Sequence, residues 1–212
     1  MVNMVCKLFI AIALSCVAAT SGLAQRIISP EELTADLRVL KKTLKELHPG
    51  LYRYSTPVEI ERKFDVFEAK LNKPLDEGEF FKLLAQMLSE IKCYHTYPNP
   101  LNQRDEIKNG LFDRKTYFPF YFQIIDRRMI VTENASPQRL AKGSQITKIN
   151  GIPVEKIITK LLTTTFADGK GTLEHRLETL ELDRGSGATY AIFDLMFPLF
   201  FPPQNGTYRI EA

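Results

Sequence analysis

The sequence predicts an α+β protein, with a helical front half followed by a small β-rich module. Three observations carry this prediction. Ahead of residue 92, apolar residues recur at spacings of three and four behind helix-start signals. Beyond residue 116 they fall in short branched and aromatic runs bounded by turn residues. A polar, proline-containing stretch separates the two textures. The 212 residues are 44% hydrophobic and 25% charged, an ordinary globular composition that excludes disorder, collagen and coiled-coil arrays. Lys and Arg number 28 against 25 Asp and Glu, and they are scattered, so nothing favours a nucleic-acid or membrane-surface partner.

Residues 1–24 read as a secretory signal. Lys7 precedes the apolar run 8–19, and Ser21-Gly22-Leu23-Ala24 offers cleavage after Ala24. The expected protein is therefore secreted or periplasmic, without a membrane anchor after cleavage. A lipoprotein anchored at Cys16 is the lesser alternative, because Ala13 stands where a lipobox usually has leucine. Cys6 and Cys16 leave with the signal, so Cys93 alone remains and no intrachain disulfide forms. Cys93 reads as a buried thiol acting as a small hydrophobe rather than as a reactive nucleophile.

Three helices follow. Ser29-Pro30-Glu31-Glu32 combines an N-cap, a proline at the first helical position and a capping-box glutamate. Leu33, Leu37, Leu40, Leu44 and Leu47 then form one apolar stripe, which His48-Pro49-Gly50 stops. Thr56-Pro57-Val58-Glu59 repeats the start and feeds Ile60, Phe64, Phe67 and Leu71. Asp76 with Glu79 opens the third helix, whose inner face is expected to be Phe80, Leu83, Leu84, Met87, Leu88 and Ile91. Residues 102–110 read as a linker or loop.

The β texture opens with residues 117–125, a polar turn at Asp126-Arg127-Arg128, and a second strand over 129–132. Residues 145–149 alternate strictly, Asn150-Gly151 is a turn, and 152–154 continues before a helix over 154–162. Residues 167–171 form a turn, 173–182 reads as helical, and Gly185-Ser186-Gly187 breaks it. The apolar run 193–201 is expected to face a further domain, and 207–210 to begin a strand.

Gly143-Ser144-Gln145-Ile146-Thr147-Lys148-Ile149-Asn150-Gly151-Ile152-Pro153-Val154 resembles the "G-D-x-I-x-x-I-N-G-x-x-V" stretch of PDZ-like domains in exported proteases. Ahead of it, Ile91-Lys92-Cys93-Tyr94-His95-Thr96-Tyr97 resembles the "D/C-G-H-T" segment of the tail-specific, or C-terminal-processing, serine peptidases, including their tricorn-like branch. Leu47-His48-Pro49-Gly50-Leu51-Tyr52 and its flanking helices look like that family's helical cap. Together the three features cover roughly residues 30–165 in the family's order.

The resemblance implies a signal (1–24), a helical cap (25–110), a PDZ-like domain (111–166), and a linker with the start of a catalytic α/β domain that is largely missing (167–212). It implies a serine nucleophile activated by lysine in one branch and by histidine in the other. His95 matches the histidine and is the candidate general base, since imidazole titrates near neutral pH and reaches a hydroxyl proton. Tyr94 stands where the family has a small residue. The resemblance also makes Phe118, Pro119 and Phe120 the peptide-binding region, whose N–H groups would receive a peptide carboxylate while the following strand accepts the ligand by β-augmentation.

No serine of the mature chain has a nucleophile's setting; Ser186 is flanked by glycines but not in G-x-S-x-G. Acyl transfer needs nucleophile, base and oxyanion site together. The expected function is therefore the front part of an exported tail-specific serine endopeptidase that acts on unfolded or C-terminally recognised polypeptides and is inactive alone. The alternative is a noncatalytic PDZ-like peptide-binding protein. His48, in a Pro-Gly turn, and His175, in a charged stretch, read as structural. Cys93 and His95 lack the further ligands zinc requires, and no metal or other cofactor is expected.

Overall fold

The structure, a computed structural model, describes residues 26–112, 118–134, 140–169, 171, 173–182 and 192–212. The predicted signal, Ser186 and the Gly185-Gly187 break lie outside the described residues. The fold is α+β, 47% helical and 17% strand. Among the described residues no helix is long and apolar enough to cross a membrane.

The three expected helices are α1 (Pro30–Leu47), α2 (Pro57–Glu68) and α3 (Glu77–Ser89). Each begins with a closed capping box. Ser29 Oγ accepts the Glu32 N–H at 3.3 Å while the Glu32 carboxylate accepts the Ser29 N–H at 3.0 Å. Thr56 with Glu59, and Asp76 with Glu79, do the same. Two N–H groups that the first turn leaves without helical partners are thus satisfied at each start. A short strand β1 (Ile27–Ile28) pairs antiparallel with β2 (Leu75–Asp76), a contact no periodicity announced. The stripes meet in a first core of Leu33, Leu37, Ile60, Phe64, Leu71 and Ile91.

The expected inner face of α3 forms as read, and the helix has a second apolar face beside it. Met87, Leu88 and the partly buried Phe80, Leu83 and Leu84 belong to the first core. Phe81 and Ala85 are buried on the other side, in a second core. The expected linker also contains a helix, α4 (Asp105–Leu111), whose Leu111 is buried in that second core.

The hairpin forms as expected, from β3 (Phe120–Ile125) and β4 (Arg128–Asn134). Its two-residue loop is Asp126-Arg127, both left-handed at φ 49° and 61°, so Arg128 belongs to the strand. The segment 145–149 is not one strand. β5 (Gln145–Ile146) pairs with β4, and β6 (Lys148–Ile149) pairs with β7 (Ile152–Pro153). Thr147 marks the change of sheet and gives its N–H to the Glu211 carbonyl at 2.8 Å. Between β6 and β7, Asn150 and Gly151 sit at φ 51° and 76°, the expected Asn-Gly turn. α5 (Val154–Leu161) follows, then α6 (Leu173–Glu178), α7 (Ile192–Phe200) and β8 (Ile210–Glu211). The sheets run β3-β4-β5 and β7-β6-β8. β8 pairs with β6, so the strand begun near residue 207 has a partner within the chain.

The apolar run 193–201 does not form an outward patch. It builds most of α7, whose Phe193 and Phe197 stack at 4.9 Å and meet the Phe118 ring edge-on. The second core is this aromatic cluster together with Phe122, Met129 and Ile157.

Candidate functional site

α3 ends at Ser89, and the chain then turns away sharply. Lys92 takes the left-handed φ of 61° that makes this possible, a conformation that strains a side-chain-bearing residue by about 1–2 kcal/mol. The Cys93 carbonyl accepts the Thr96 N–H at 3.1 Å and closes a turn over 93–96 that carries His95 at its exposed corner.

This turn is held from two directions. The segment 166–169 crosses it: the Lys92 carbonyl accepts the Gly169 N–H at 2.9 Å, and the Asp168 carboxylate accepts the Tyr94 N–H at 2.9 Å. Gly169 has φ 62°, and a Cβ there would stand 2.7 Å from the Tyr54 ring, so only glycine fits. From the other direction, the His48 imidazole at the end of α1 bonds Thr96 Oγ1 at 2.8 Å.

Between these elements lies an open cleft of about 650 Å³. Leu44, Leu47, Pro49 and Tyr54 supply apolar lining together with His48 at the end of α1, and Cys93, His95 and Thr96 face them from the opposite turn. Arg53 and Asp168 add a charge of each sign, with the Arg53 guanidinium 6.0 Å above the Tyr54 ring. An exposed imidazole at the rim of such a cleft can accept a proton from a bound hydroxyl and pass it on.

Tyr94 does not line the cleft. Its ring meets the His95 and Phe166 rings edge-on at 5.6 and 5.3 Å and lies tilted to His175 at 6.3 Å. The phenol, where the resemblance expects a small residue, thus packs against the His95 ring without lining the cleft.

The expected peptide-binding residues lie elsewhere. Phe118 and Phe120 bury their side chains in the second core, and Pro119 is half-buried. The Phe118 N–H is given to Asp194 Oδ1 at 3.3 Å. Burial raises the Asp194 carboxyl from 3.8 to about 6 against the lowering effect of that bond. Along β3, Phe122 N–H donates to the Leu182 carbonyl at 2.9 Å and Ile124 N–H to the Glu181 carboxylate at 2.7 Å. Residues 181–182 thus lie along this edge, and the structure does not bring it together with His95 in one cleft.

The side chains of Ser29, Ser55 and Ser89 are committed to structure, and Ser144 lies in the loop before β5. Ser29 caps α1, and Ser89 Oγ donates to the Gln86 and Thr163 carbonyls. Ser55 accepts from Lys63 Nζ at 2.9 Å, and burial lowers the Lys63 amine. This serine–lysine pair joins α2 to the end of α3, because Lys63 Nζ also donates to the Glu90 carbonyl at 2.6 Å. Ser55 is 7% exposed, out of a substrate's reach. Among the described residues, no three His, Cys, Asp or Glu side chains converge as a metal site.

Sequence reasoning missed the His48–Thr96 bond and the bracing by Asp168. The Asp168-Gly169 dipeptide signalled a turn but not its partner, which is 74 residues away.

No family model matches the sequence, and no curated protein matches it. A solved structure of mature CPAF complexed with lactacystin overlays with a TM-score of 0.50 at 16% identity, over 72% of this chain and 28% of that one. A second CPAF structure, of a mutant, overlays at 0.47 and 17% identity over the same shares. The chain spans little more than a quarter of the CPAF chain it matches, and the likeness is one of fold.

Proposed function

We propose that this chain is the helical cap and peptide-facing front of an exported, tail-specific-like serine endopeptidase acting on unfolded polypeptides, with His95 as its general base. The observation that carries the reading is the placement of His95, exposed at the rim of a cleft of about 650 Å³ on a turn braced by Asp168, Gly169 and His48. The order of the sequence motifs supports it. So does the fold likeness to CPAF, a tail-specific-protease-like serine protease.

In this reading the serine hydroxyl and oxyanion donors come from outside the described residues. The hydroxyl oxygen attacks the peptide carbonyl as its proton passes to the His95 imidazole, and the imidazolium returns that proton to the leaving amine. The segment 143–154 belongs to a PDZ-like module. A peptide adding to β3 would displace residues 181–182, and a carboxylate reaching the Phe118 N–H would replace that of Asp194.

By itself the chain is expected to hydrolyse no unfolded protein and to take no serine-directed fluorophosphonate label; labelling would overturn the assignment of the nucleophile. In a protein that contains this chain and hydrolyses unfolded polypeptide, His95→Ala is expected to lower kcat by about 10²-fold or more, the usual contribution of a general base. Unchanged turnover would sink the role of His95.

A further inference from the structure

We propose that His48 is a positioning residue for His95, an inference that rests on the reading of His95 as a general base. The Gly50 N–H donates to His48 Nδ1 at 3.2 Å. A ring nitrogen that accepts a hydrogen bond carries no proton, so the imidazole is neutral and its proton is on Nε2. Nε2–H therefore donates to Thr96 Oγ1 at 2.8 Å.

The direction of this bond is set by the backbone of the turn in which His48 sits. The His48 N–H closes the last turn of α1 on the Leu44 carbonyl at 3.2 Å, and the Arg53 N–H returns to the Gly50 carbonyl at 3.0 Å. Both fix the ring's origin. The acceptor, Thr96, is the neighbour of His95 and the closing residue of the 93–96 turn.

Without the bond, the turn keeps its bracing from Asp168 and Gly169 at the Lys92–Tyr94 end. Its Thr96 end loses its side-chain link to α1, and the exposed His95 ring loses a defined direction over the cleft. A nearby group serves catalysis only when held near its productive geometry. His48 acts through Thr96 and need not touch a reacting atom.

The test uses this chain with ¹³C-labelled histidine. Its three histidines make the His95 Cε1–H signal assignable. The Tyr94 ring, 5.6 Å from His95, shifts that signal according to the imidazole's orientation. In His48→Phe and in Thr96→Val the His95 signal is expected to move and broaden, while His48→Gln, which keeps an N–H donor at the position of Nε2, restores it. An unmoved signal in a folded His48→Phe overturns the proposal. So does a shift in His48→Phe that Thr96→Val fails to reproduce, because the coupling would then bypass the hydrogen bond. Should His48→Phe fail to fold, Thr96→Val decides alone.

In a hydrolysing form of the protein, His48→Phe is expected to lower kcat about fivefold at unchanged KM, the equivalent of one hydrogen bond of about 1 kcal/mol. His95→Ala with unchanged turnover would remove the general-base reading while leaving the measured coupling of His48 to His95 in place.

Discussion

Asp194 shows how a single side chain sets a pH dependence. Its carboxylate lies in the first turn of α7 and accepts the Phe118 N–H, yet desolvation outweighs that bond and raises its pKa from 3.8 to about 6. The folded state then holds the proton more tightly than the unfolded state does. The resulting stabilisation is complete below about pH 4 and disappears as pH rises through about 6. A shift of about two units corresponds to about 3 kcal/mol lost across that window. Asp194→Asn keeps an acceptor for Phe118 and never ionises. Urea unfolding should find the variant more stable than the parent by about 2–3 kcal/mol at about pH 8, and by almost nothing at about pH 4. An equal difference at both pH values would show that packing, and not ionisation, sets the effect. The same logic bears on the peptide-binding proposal at Phe118, where an arriving carboxylate displaces Asp194 most easily while Asp194 is protonated, since the ionised side chain holds the N–H more strongly and repels a second anion.

At the level of elements, legibility followed how local each signal was. The starts of α1, α2 and α3 could be read because a capping box is complete within four residues, and all three close as written. The Asn150-Gly151 turn was legible for the same reason. The alternation over 145–149 correctly marked β structure but could not show that the chain changes sheets at Thr147, because the partners that separate β5 from β6 lie in β4 and β8. α4 was missed because its polar residues carry no stripe and its burial rests chiefly on Leu111. A short motif singled out His95, while the turn over 93–96 that carries it and the segment that braces that turn were not legible. That segment yields a sharp expectation. Gly169→Ala brings both a left-handed φ and a Cβ at 2.7 Å from the Tyr54 ring, and should destabilise the chain by about 2 kcal/mol or more. Calorimetry would record a lower Tm, with increased hydrogen exchange at the Tyr94 amide as its Asp168 bond loosens. A variant matching the parent in both would mean that the ring moves aside freely.

α3 decides whether the molecule behaves as one cooperative unit. One of its faces gives Met87 and Leu88 to the first core, and the other gives Phe81 and Ala85 to the second. Gln86 Nε2 and Ser89 Oγ tie the same helix to Thr163, beyond α5. The sequence could not show this, since a helix apolar on two sides reads as a single broad stripe. If α3 transmits stability between the cores, damage to one face must be felt in the other. Phe81, 7% exposed and edge-on to Phe112 at 5.0 Å, is the place to apply it. Phe81→Ala should cost about 3–4 kcal/mol, and native-state hydrogen exchange should then find the slowest amides of α1 and of β3–β4 accelerated alike, by roughly a hundredfold or more. Acceleration confined to β3–β4 would mean that the helical core unfolds independently, and that the cleft carrying His95 persists when the aromatic core is lost. Equal acceleration would bind the two together, so that the turn over 93–96 keeps its shape only while α7 and the hairpin remain packed on the opposite face of α3.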